Sequence, residues 1–402
     1  MIKRTLQELC LNITDGKHGD CENEENSGYY FISCKDIFDG QINYKNARQI
    51  TKADFEETHK RTMLEVDDIL LTNSGTIGRM AFVTDREATT KTTFQKSVAI
   101  IKPDKQKVLP RYLYYQLQNC VPQFINSSNG SAQKNLLLST MRTFQIEIEE
   151  NREKQEKIAN TLSAYDDLIE NNQKQIKLLE EAAQRLYKEW FVDLRFPGHE
   201  NTKIVDGVPE EWNWCKLEDA IQFDPKVTLT KERMKQFVPM SALSTASMVL
   251  DESQFTETSS NSGSKFQNGD TLLARITPCL ENGKTAYVSG LKSDEGAVGS
   301  TEYIVMRAKT INSYMVYLLA RTDDFRQSAI NSMSGSDGRQ RVKSDKLKML
   351  DYLHPTSELV EKFENVEEPI FEKIYRLSKQ MQQAKQARDL LLPKLMSGEV
   401  EV

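Results

Sequence analysis

The segment that comes nearest to a nucleotide-binding motif is Asn282-Gly283-Lys284-Thr285, which resembles the end of a phosphate-binding loop. Such a loop has a further glycine five residues before Gly283, and that position is Pro278. The strand, loop and helix that should surround the motif are also missing from the pattern. We therefore expect this chain to bind no nucleoside triphosphate.

Other sets of reactive side chains are equally incomplete. The Gly-x-Gly cofactor loop and the Asn/Asp-Pro-Pro-aromatic motif of methyltransferases are absent, since Asp224-Pro225-Lys226 lacks the second proline and the aromatic residue. No Glu-x-Lys occurs, which leaves a metal-dependent nuclease unsupported. The histidines, at positions 18, 59, 199 and 354, are isolated from one another and from any cysteine pair, so no zinc site is expected. The pattern favours a protein that binds and positions its partners, without catalytic residues, metal or cofactor.

Length and composition restrict the class of protein further. The 402 residues, 38% hydrophobic and 28% charged, predict two or three domains with a large solvated surface. No apolar run approaches the roughly 20 residues of a membrane helix, and residues 1–8 contain no hydrophobic signal segment. The cysteines, at positions 10, 21, 34, 120, 215 and 279, form no Cys-x-x-Cys pair, which is typical of free thiols in a reducing cytoplasm. We expect a cytoplasmic protein.

The charge balance does not by itself indicate a nucleic-acid-binding protein. The chain has 53 basic and 59 acidic residues, a formal net charge of −6. Residues 1–150 hold 19 basic and 20 acidic residues, and residues 199–350 hold the same numbers. Any contact with nucleic acid must therefore depend on local segregation of the basic residues.

The chain repeats itself. Five segments recur in the same order at offsets of 201 to 205 residues, about half the chain length, which predicts a tandem duplication with pseudo-twofold symmetry. The matched segments are 68–71 with 270–273, 78–83 with 283–288, 112–115 with 314–317, 125–131 with 330–336, and positions 158, 162, 165 and 169 with 359, 363, 366 and 370.

Each half begins with a mixed, β-rich part. Short apolar runs bounded by polar or glycine-containing turns predict strands, and each copy then has one helix at apolar positions of helical spacing. The predicted strands are 66–72, 80–83 and 97–101 in the first copy and 266–274, 285–288 and 302–306 in the second; the helices are 111–118 and 313–320.

Each half ends in a long helix. Apolar residues at alternating steps of four and three over 152–191 form a heptad seam, typical of a coiled coil, in a helix of about 60 Å. Asn172 is a polar seam residue that either fixes the register or faces solvent, and Arg388 is expected to extend to solvent and not to pair. A four-residue stutter separates the seams of the two copies. The predicted seam is Leu162, Tyr165, Ile169, Asn172, Ile176, Leu179, Leu186, Ile370, Ile374, Leu377, Met381 and Leu391.

These patterns together predict an α+β fold class: two similar β-rich globular domains separated by two long antiparallel helices in a coiled coil, arranged as a pseudo-twofold internal duplication. The predicted boundaries are 1–150 for the first globular domain, 151–197 for the central helix, 198–354 for the second domain and 355–402 for the C-terminal helix.

This arrangement resembles the specificity (S) subunit of type I restriction–modification enzymes. The resemblance spans the whole chain and is most specific at residues 155–172, QEKIANTLSAYDDLIENN, and 185–198, RLYKEWFVDLRFPG. Residues 130–135 resemble the Gly-x-x-Gln segment that closes the family's recognition domains, and residues 392–400 its usual C-terminal segment. The proline pair that usually precedes the first helix is replaced in residues 148–154, which leaves the position of the hinge open.

The resemblance implies a function. Each β-rich domain would be a target-recognition domain that reads one half of a bipartite, asymmetric site in double-stranded DNA. The two helices would fix the gap between the half-sites and dock two methyltransferase (M) subunits. S-adenosylmethionine would be bound by these partners, ATP and Mg²⁺ would be used with separate restriction (R) subunits, and this chain would carry none of these cofactors.

Candidate DNA-binding residues follow from donor chemistry, because phosphates attract cations and base edges require arginine, asparagine or glutamine. The strongest basic cluster is 336–350, for which a solvated loop or helix face is the alternative. The phosphate candidates are Lys35, Arg79, Lys91, Lys96, Arg275, Lys284, Arg341 and Lys343, and the base-reading candidates are Arg48, Asn73, Gln95, Arg275 and Arg339. Since the two copies differ at most of these positions, we expect them to read different half-sites.

Two other classes of function remain open from the sequence. An interaction scaffold, with two adaptor domains on a coiled-coil rod, agrees with the near-neutral domains, whereas the central helix argues against it. An enzyme with an unrecognised site is opposed by the incomplete motifs. A DNA-binding assay with the methyltransferase partner present separates the scaffold from the DNA-recognition subunit.

Overall fold

The computed structural model describes residues 1–128, 134–231, 233–293, 295–335 and 340–401. The chain divides into two compact units: unit 1 comprises Met1–Asp167 and Ala384–Val402, and unit 2 comprises Leu168–Gln383. Unit 1 thus joins the first and last parts of the sequence. Within the described ranges, no helix combines the length and hydropathy that a membrane span requires.

Unit 1 consists of short strands and helices with the beginning of one long helix and the end of another. Its strands are β1 (Ile2–Thr5), β2 (Cys10–Asp15), β3 (Tyr30–Ile32), β4 (Ile37–Phe38), β5 (Gln41–Ile42), β6 (Arg48–Gln49), β7 (Ile69–Thr72), β8 (Met80–Phe82), β9 (Thr92–Phe94), β10 (Val98–Pro103) and β11 (Gln145–Ile148). Its helices are α1 (Lys52–Thr62), α2 (Arg86–Thr89), α3 (Pro110–Asn119), α4 (Val121–Asn126) and α5 (Leu138–Thr143), with 3-10 turns at Leu6–Leu9 and Cys34–Asp36.

The central sheet of unit 1 is antiparallel in the order β2-β10-β7-β8. Its middle strands are buried on both faces, which explains why residues 98–101 and 69–71 are continuous apolar runs without polar alternation. A second sheet, β6-β3-β9, contains the parallel pair β3–β9. The predicted strands 66–72, 80–83 and 97–101 and the helix 111–118 correspond to β7, β8, β10 and α3, with small shifts at their ends.

Asp166 joins three elements of unit 1. Its carboxylate accepts hydrogen bonds from the Tyr115 hydroxyl at 2.6 Å and from Arg388 at 2.7 Å, and the guanidinium of Arg111 lies 3.9 Å away. The prediction that Arg388 extends to solvent is therefore wrong, because its side chain is only 23% exposed and is paired with Asp166. The hydrophobic core of the unit includes Leu162 from the first long helix and Leu395 from the second.

Unit 2 contains the remaining elements and the parts of the two long helices that lie within Leu168–Gln383. The long helix α6 (Arg152–Tyr187), continued by a π-helical turn at Lys188–Val192, agrees with the helix predicted over 152–191, and the second long helix is α11 (Ser357–Ser397). The strands of unit 2 are β12 (Ile204–Val205), β13 (Val208–Pro209), β14 (Asn213–Lys216), β15 (Ile221–Phe223), β16 (Lys235–Val238), β17 (Thr256–Thr258), β18 (Ser264–Phe266), β19 (Thr271–Ala274), β20 (Thr285–Tyr287), β21 (Ala297–Gly299), β22 (Tyr303–Ala308) and β23 (Asp351–His354). Its short helices are α7 (Leu217–Ala220), α8 (Ser313–Ala320), α9 (Asp323–Asn331) and α10 (Ser344–Lys348), with 3-10 turns at His199–Asn201, Met240–Ala242 and Glu252–Gln254.

The central sheet of unit 2 has the order β15-β22-β19-β20. Where β19 begins, the buried Asp270 receives two hydrogen bonds from Arg307 on β22, at 2.6 and 2.7 Å, and one from the main-chain N–H of Gln267 at 2.8 Å. The predicted strands 285–288 and 302–306 correspond to β20 and β22, and the predicted helix 313–320 corresponds to α8. The predicted run 266–274 is interrupted, because residues 267–270 form a turn before β19.

Aromatic side chains join the long helices of unit 2 to its sheet. The ring of Phe363 lies 6.1 Å from that of Tyr187 and 5.4 Å from that of Trp190. Farther along α11, Phe371 packs against Tyr287 on β20 at 5.1 Å. These residues belong to one hydrophobic core.

None of the predicted seam residues is fully exposed. Asn172 is buried and donates hydrogen bonds to the side-chain oxygen of Gln380 at 3.1 Å and to the carbonyl of Leu377 at 3.5 Å. Leu162, Ile169, Ile176, Ile374 and Leu377 are also buried, whereas Tyr165, Leu179, Leu186, Ile370, Met381 and Leu391 are half-buried.

Candidate nucleic-acid interface

In unit 1, several predicted DNA-binding residues meet where β7 ends. The main-chain N–H of Asn73 donates to the carbonyl of Ser97 at 3.0 Å, and the N–H of Thr72 donates to the carbonyl of Arg79 at 2.8 Å. The N–H of Cys34 donates to the Ser97 hydroxyl at 3.1 Å, and this bond places the next residue, Lys35, near the end of β7. We call this cluster site 1; it comprises Lys35, Asn73, Arg79, Gln95 and Lys96.

The side chains of site 1 differ in accessibility. Lys35, Arg79 and Lys96 are exposed, and Gln95 is half-buried. Asn73 is only 4% exposed, and its buried Oδ1 has no hydrogen-bond partner among the described residues. The three cations of site 1 are therefore open to a phosphate, while Asn73 has little accessible surface for reading a base.

Two candidates of unit 1 lie away from site 1. Lys91 precedes β9 and Lys96 follows it, so they are at opposite ends of a strand that rises about 3.3 Å per residue. Lys91 forms an ion pair with Glu87 at 2.7 Å. Arg48 is held by Asp20 at 2.5 Å and also donates to the side chain of Asn23 and the carbonyl of Cys21. Site 1 as built from these contacts includes neither residue.

Unit 2 brings its candidates together at the corresponding strand end, after β19. The N–H of Arg275 donates to the carbonyl of Glu302 at 3.0 Å, and the N–H of Val342 donates to the carbonyl of Arg275 at 2.9 Å. The N–H of Ala274 donates to the carbonyl of Lys284 at 3.0 Å. We call this cluster site 2; it comprises Arg275, Lys284, Arg341 and Lys343, and the predicted Arg339 lies outside the described residues.

Some cations of site 2 are already engaged by other protein groups and others are not. Arg341 donates to Glu302 through Nε and Nη2 at 2.6 to 3.0 Å, and this hydrogen bonding is the main cause of the lowered pKa of the Glu302 carboxyl. The Nζ of Lys284 donates to the carbonyl of Met240 at 2.9 Å. Lys343 is exposed. Within the described part of the chain, the side chain of Arg275 has no ion pair or hydrogen bond, and its Nε is buried.

Comparison with known proteins shows which proteins this chain is similar to. Residues 3–181 match the family model of the type I restriction modification DNA specificity domain. The chain is 28% identical over 386 residues to the type I restriction enzyme MjaIX specificity subunit of Methanocaldococcus jannaschii, an alignment covering 92% of this chain and 87% of that protein. The chain is thus similar to type I restriction specificity subunits, in residues 3–181 through the family model and over most of its length through this relative.

Other similarities to specificity subunits agree with this. The EcoAI specificity subunit of Escherichia coli is 35% identical over 143 residues, which cover 34% of this chain and 24% of that protein. The crystal structure of the S subunit of a type I restriction–modification system from M. genitalium superposes with a TM-score of 0.61 at 16% identity, covering 98% of this chain and 95% of that one. This structural likeness supports the specificity-subunit fold, which is α+β.

All six cysteines are free, and burial raises the pKa of the Cys10 thiol to about 12. Among the residues that the structure describes, no group of three or more His, Cys, Asp or Glu side chains is arranged to hold a metal ion. The observed sites consist of cations and amides.

The sequence patterns do not identify three lysines that lie near site 2. Lys226, Lys231 and Lys265 line a cleft that also contains Arg275 of site 2. The first of them belongs to Asp224-Pro225-Lys226, an incomplete methyltransferase motif whose sequence gives no indication of DNA binding. No local sequence pattern indicates that residues 226 and 265 lie beside Arg275. They line the same cleft because the fold brings these separate segments together.

Proposed function

We propose that this chain is the DNA sequence-recognition subunit of a type I restriction–modification complex and has no catalytic activity of its own. The observation that carries the proposal is the family match together with sites 1 and 2, which place basic residues at the corresponding strand end of each unit. Because each unit is nearly neutral overall, such a local group of cations is what DNA binding by this chain requires. The alternative function, an interaction scaffold, does not explain why the basic residues of sites 1 and 2 lie at the equivalent strand ends, after β7 and after β19.

Each unit would read one half of a bipartite DNA site. The central sheets β2-β10-β7-β8 and β15-β22-β19-β20 have matching orders, which supports an internal duplication. At equivalent positions, however, unit 1 has Asn73 and Ser97 where unit 2 has Arg275 and Glu302. Since the two units differ in their side chains at these equivalent positions, they would read different half-sites, and the complete site would be asymmetric.

The long helices would form an antiparallel coiled coil that sets the distance between the half-sites and docks two methyltransferase subunits. Antiparallel pairing is supported within unit 2, where Asn172 contacts Gln380 while Tyr187 contacts Phe363. Docking is supported by exposed apolar side chains on the helices, Leu178 at 64% and Leu390 at 68% exposure. Restriction subunits would join the same assembly. S-adenosylmethionine, ATP and Mg²⁺ would be bound by the partner subunits and not by this chain.

Binding experiments test the proposal. The target is first found by mapping methylated adenines in DNA from the host and from a strain lacking this chain. The complex of the chain with its methyltransferase subunit is expected to bind that duplex at least a hundredfold more tightly than a scrambled duplex, with a linear loss of log affinity against log salt concentration. The chain alone should bind more weakly. Equal affinity of the complex for both duplexes would refute the proposal.

The helices as spacers give a second prediction. Four residues inserted into α6 after Asp167 add about 6 Å to a helix, close to two base pairs of DNA. We expect the methylated motif of the variant to have a longer gap between unchanged half-sites, measured by sequencing of modified bases. The control is the same insertion after Asp206, in the turn between β12 and β13, which should leave the gap unchanged. An unaltered gap in the α6 variant would contradict the spacer role.

A further inference from the structure

A cleft in unit 2 lies beside site 2. It has a volume of about 640 Å³ and is formed by residues 224–231, by residues 261–265 and by the ends of β19 and β22. We call it the Arg275 cleft. Its wall includes Tyr303, whose hydroxyl donates to the carbonyl of Val238 at 3.3 Å and is therefore already engaged.

The Arg275 cleft is strongly basic. Lys226, Lys231, Lys265 and Arg275 line it, and within the described ranges none of these side chains forms an ion pair or a hydrogen bond. The acidic lining residue is Asp224, and one of its carboxylate oxygens accepts a hydrogen bond from the main-chain N–H of Val305 at 3.1 Å. Four cations against one engaged carboxylate make a surface suited to an anion.

Arg275 differs from the three lysines in how it is held. Its main chain is fixed on both sides, by Glu302 and by Val342, and its Nε is buried without a partner. The nearby carboxylate of Glu302 accepts its side-chain hydrogen bonds from Arg341, so within the described residues the donors of Arg275 are not used by it. A guanidinium without a hydrogen-bond partner offers a planar fork of two donors, which fits a pair of acceptors lying side by side.

We propose that the Arg275 cleft holds DNA, with Arg275 donating to the O6 and N7 acceptors of a guanine and Lys226, Lys231 and Lys265 contacting the flanking phosphates. This inference rests on the proposed function and specifies the base and the residues that unit 2 uses. Guanine is favoured because it is the base that presents two acceptors side by side in the major groove. Arg341 is then a positioning residue that neutralises Glu302.

The test for Arg275 uses the complex of the full chain with its methyltransferase subunit and the mapped target duplex. Replacing each guanine of the unit 2 half-site in turn by 7-deazaguanine removes one acceptor. We expect one such position to lower the affinity about tenfold for the unmodified chain and less than twofold for Arg275→Lys. Arg275→Lys should also lower target affinity at least tenfold, change binding to scrambled DNA less than twofold, and relax the methylated motif at that one position.

The lysines give an independent readout. Lys226→Gln and Lys265→Gln should weaken binding to target and scrambled DNA alike and reduce the slope of log affinity against log salt by about one each. The matched control is Lys203→Gln, an exposed lysine of the β12 hairpin region outside the cleft, which should leave the slope unchanged. If Arg275→Lys does not fold, these two variants decide the phosphate contacts and the 7-deazaguanine scan of the unmodified chain decides the guanine contact.

The outcomes separate the inference from the function on which it rests. If the unmodified complex discriminates target from scrambled DNA, but Arg275→Lys keeps the same motif and affinity or the lysine variants behave like Lys203→Gln, the cleft is not the reading surface. If inorganic phosphate competes with DNA more than sodium chloride does at equal ionic strength, the cleft is a site for free phosphate, and the inference fails. If the unmodified complex shows no discrimination, the proposed function itself fails.

Discussion

Replacing Glu367 by glutamine is expected to raise the free energy of unfolding of the full chain at pH 8. The difference between the variant and the unmodified chain should be about 3 kcal/mol larger at pH 8 than at pH 4. Glu367 lies on α11 and is fully buried, and within the described part of the chain neither carboxylate oxygen has a hydrogen-bond partner. Burial raises the pKa of this carboxyl from 4.5 to about 7. The charged form is thus unfavourable in the folded state, because nothing replaces its hydration.

The sign follows from the two pKa values. Below pH 4.5 the Glu367 carboxyl is protonated in both folded and unfolded chains, so it causes no loss of stability. As the pH rises from 4.5 to about 7, the Glu367 carboxyl ionises in the unfolded chain but stays protonated in the folded chain, so the free energy of unfolding falls. Above that range the loss is constant. Urea unfolding between pH 4 and 8 measures this. Glu368→Gln, at the exposed neighbouring position, should show none of this pH dependence, and a constant difference between Glu367→Gln and the unmodified chain would contradict the prediction.

Replacing Asp270 by asparagine is expected to lower the free energy of unfolding by about 3 kcal/mol. Its carboxylate is 1% exposed and accepts two hydrogen bonds from Arg307, which is 22% exposed. Asparagine keeps the shape but leaves the guanidinium of Arg307 without its counter-charge inside the unit, which is the costly way of disrupting a buried pair. Denaturant unfolding of the full chain measures the loss.

Glu372→Gln is the matched control for Asp270→Asn. Glu372 pairs with Arg376 one turn farther along α11, and both side chains are more than half exposed, so about 0.3 to 0.5 kcal/mol is expected. A second variant, Asp270→Asn with Arg307→Met, removes the stranded charge and should recover part of the loss. An Asp270→Asn variant as stable as Glu372→Gln would show that the pair contributes little.

The helices show what periodicity can and cannot predict. Aliphatic seam residues such as Leu162 and Ile374 were predictable because burial of one face requires apolar side chains at that spacing. The repeat alignment matches Val366 to the seam residue Tyr165, whereas the structure exposes Val366 by 41% and buries Glu367. The prediction of buried helix positions depends on apolar residues at heptad spacing, so it cannot identify a buried carboxylate such as that of Glu367. Arg388 was misassigned for a related reason, since its partner Asp166 lies 222 residues away in the sequence.

The candidate interface was predictable only where local sequence fixes geometry. Arg275 and Lys284 flank a recognisable turn and strand, so their proximity could be expected from the repeat. Arg48 was selected by donor type alone, and its internal hydrogen bonds depend on residues 25 to 28 positions away. Lys226 and Lys265 reach the Arg275 cleft from separate loops. Sequence gives the chemistry of a side chain, but its partners depend on the arrangement of non-adjacent segments.

The discontinuity of unit 1 has a consequence for biosynthesis. The ribosome releases residues 1–167 long before it makes residues 384–402, which supply Leu395 and Met396 to the same core. Until then the core that contains Ile158 and Leu162 lacks Leu395 and Met396, and Asp166 has no Arg388 to pair with. A nascent chain stalled before Ala384 would therefore expose apolar surface that the complete chain buries. We expect it to aggregate more readily and to bind chaperones at this stage of translation.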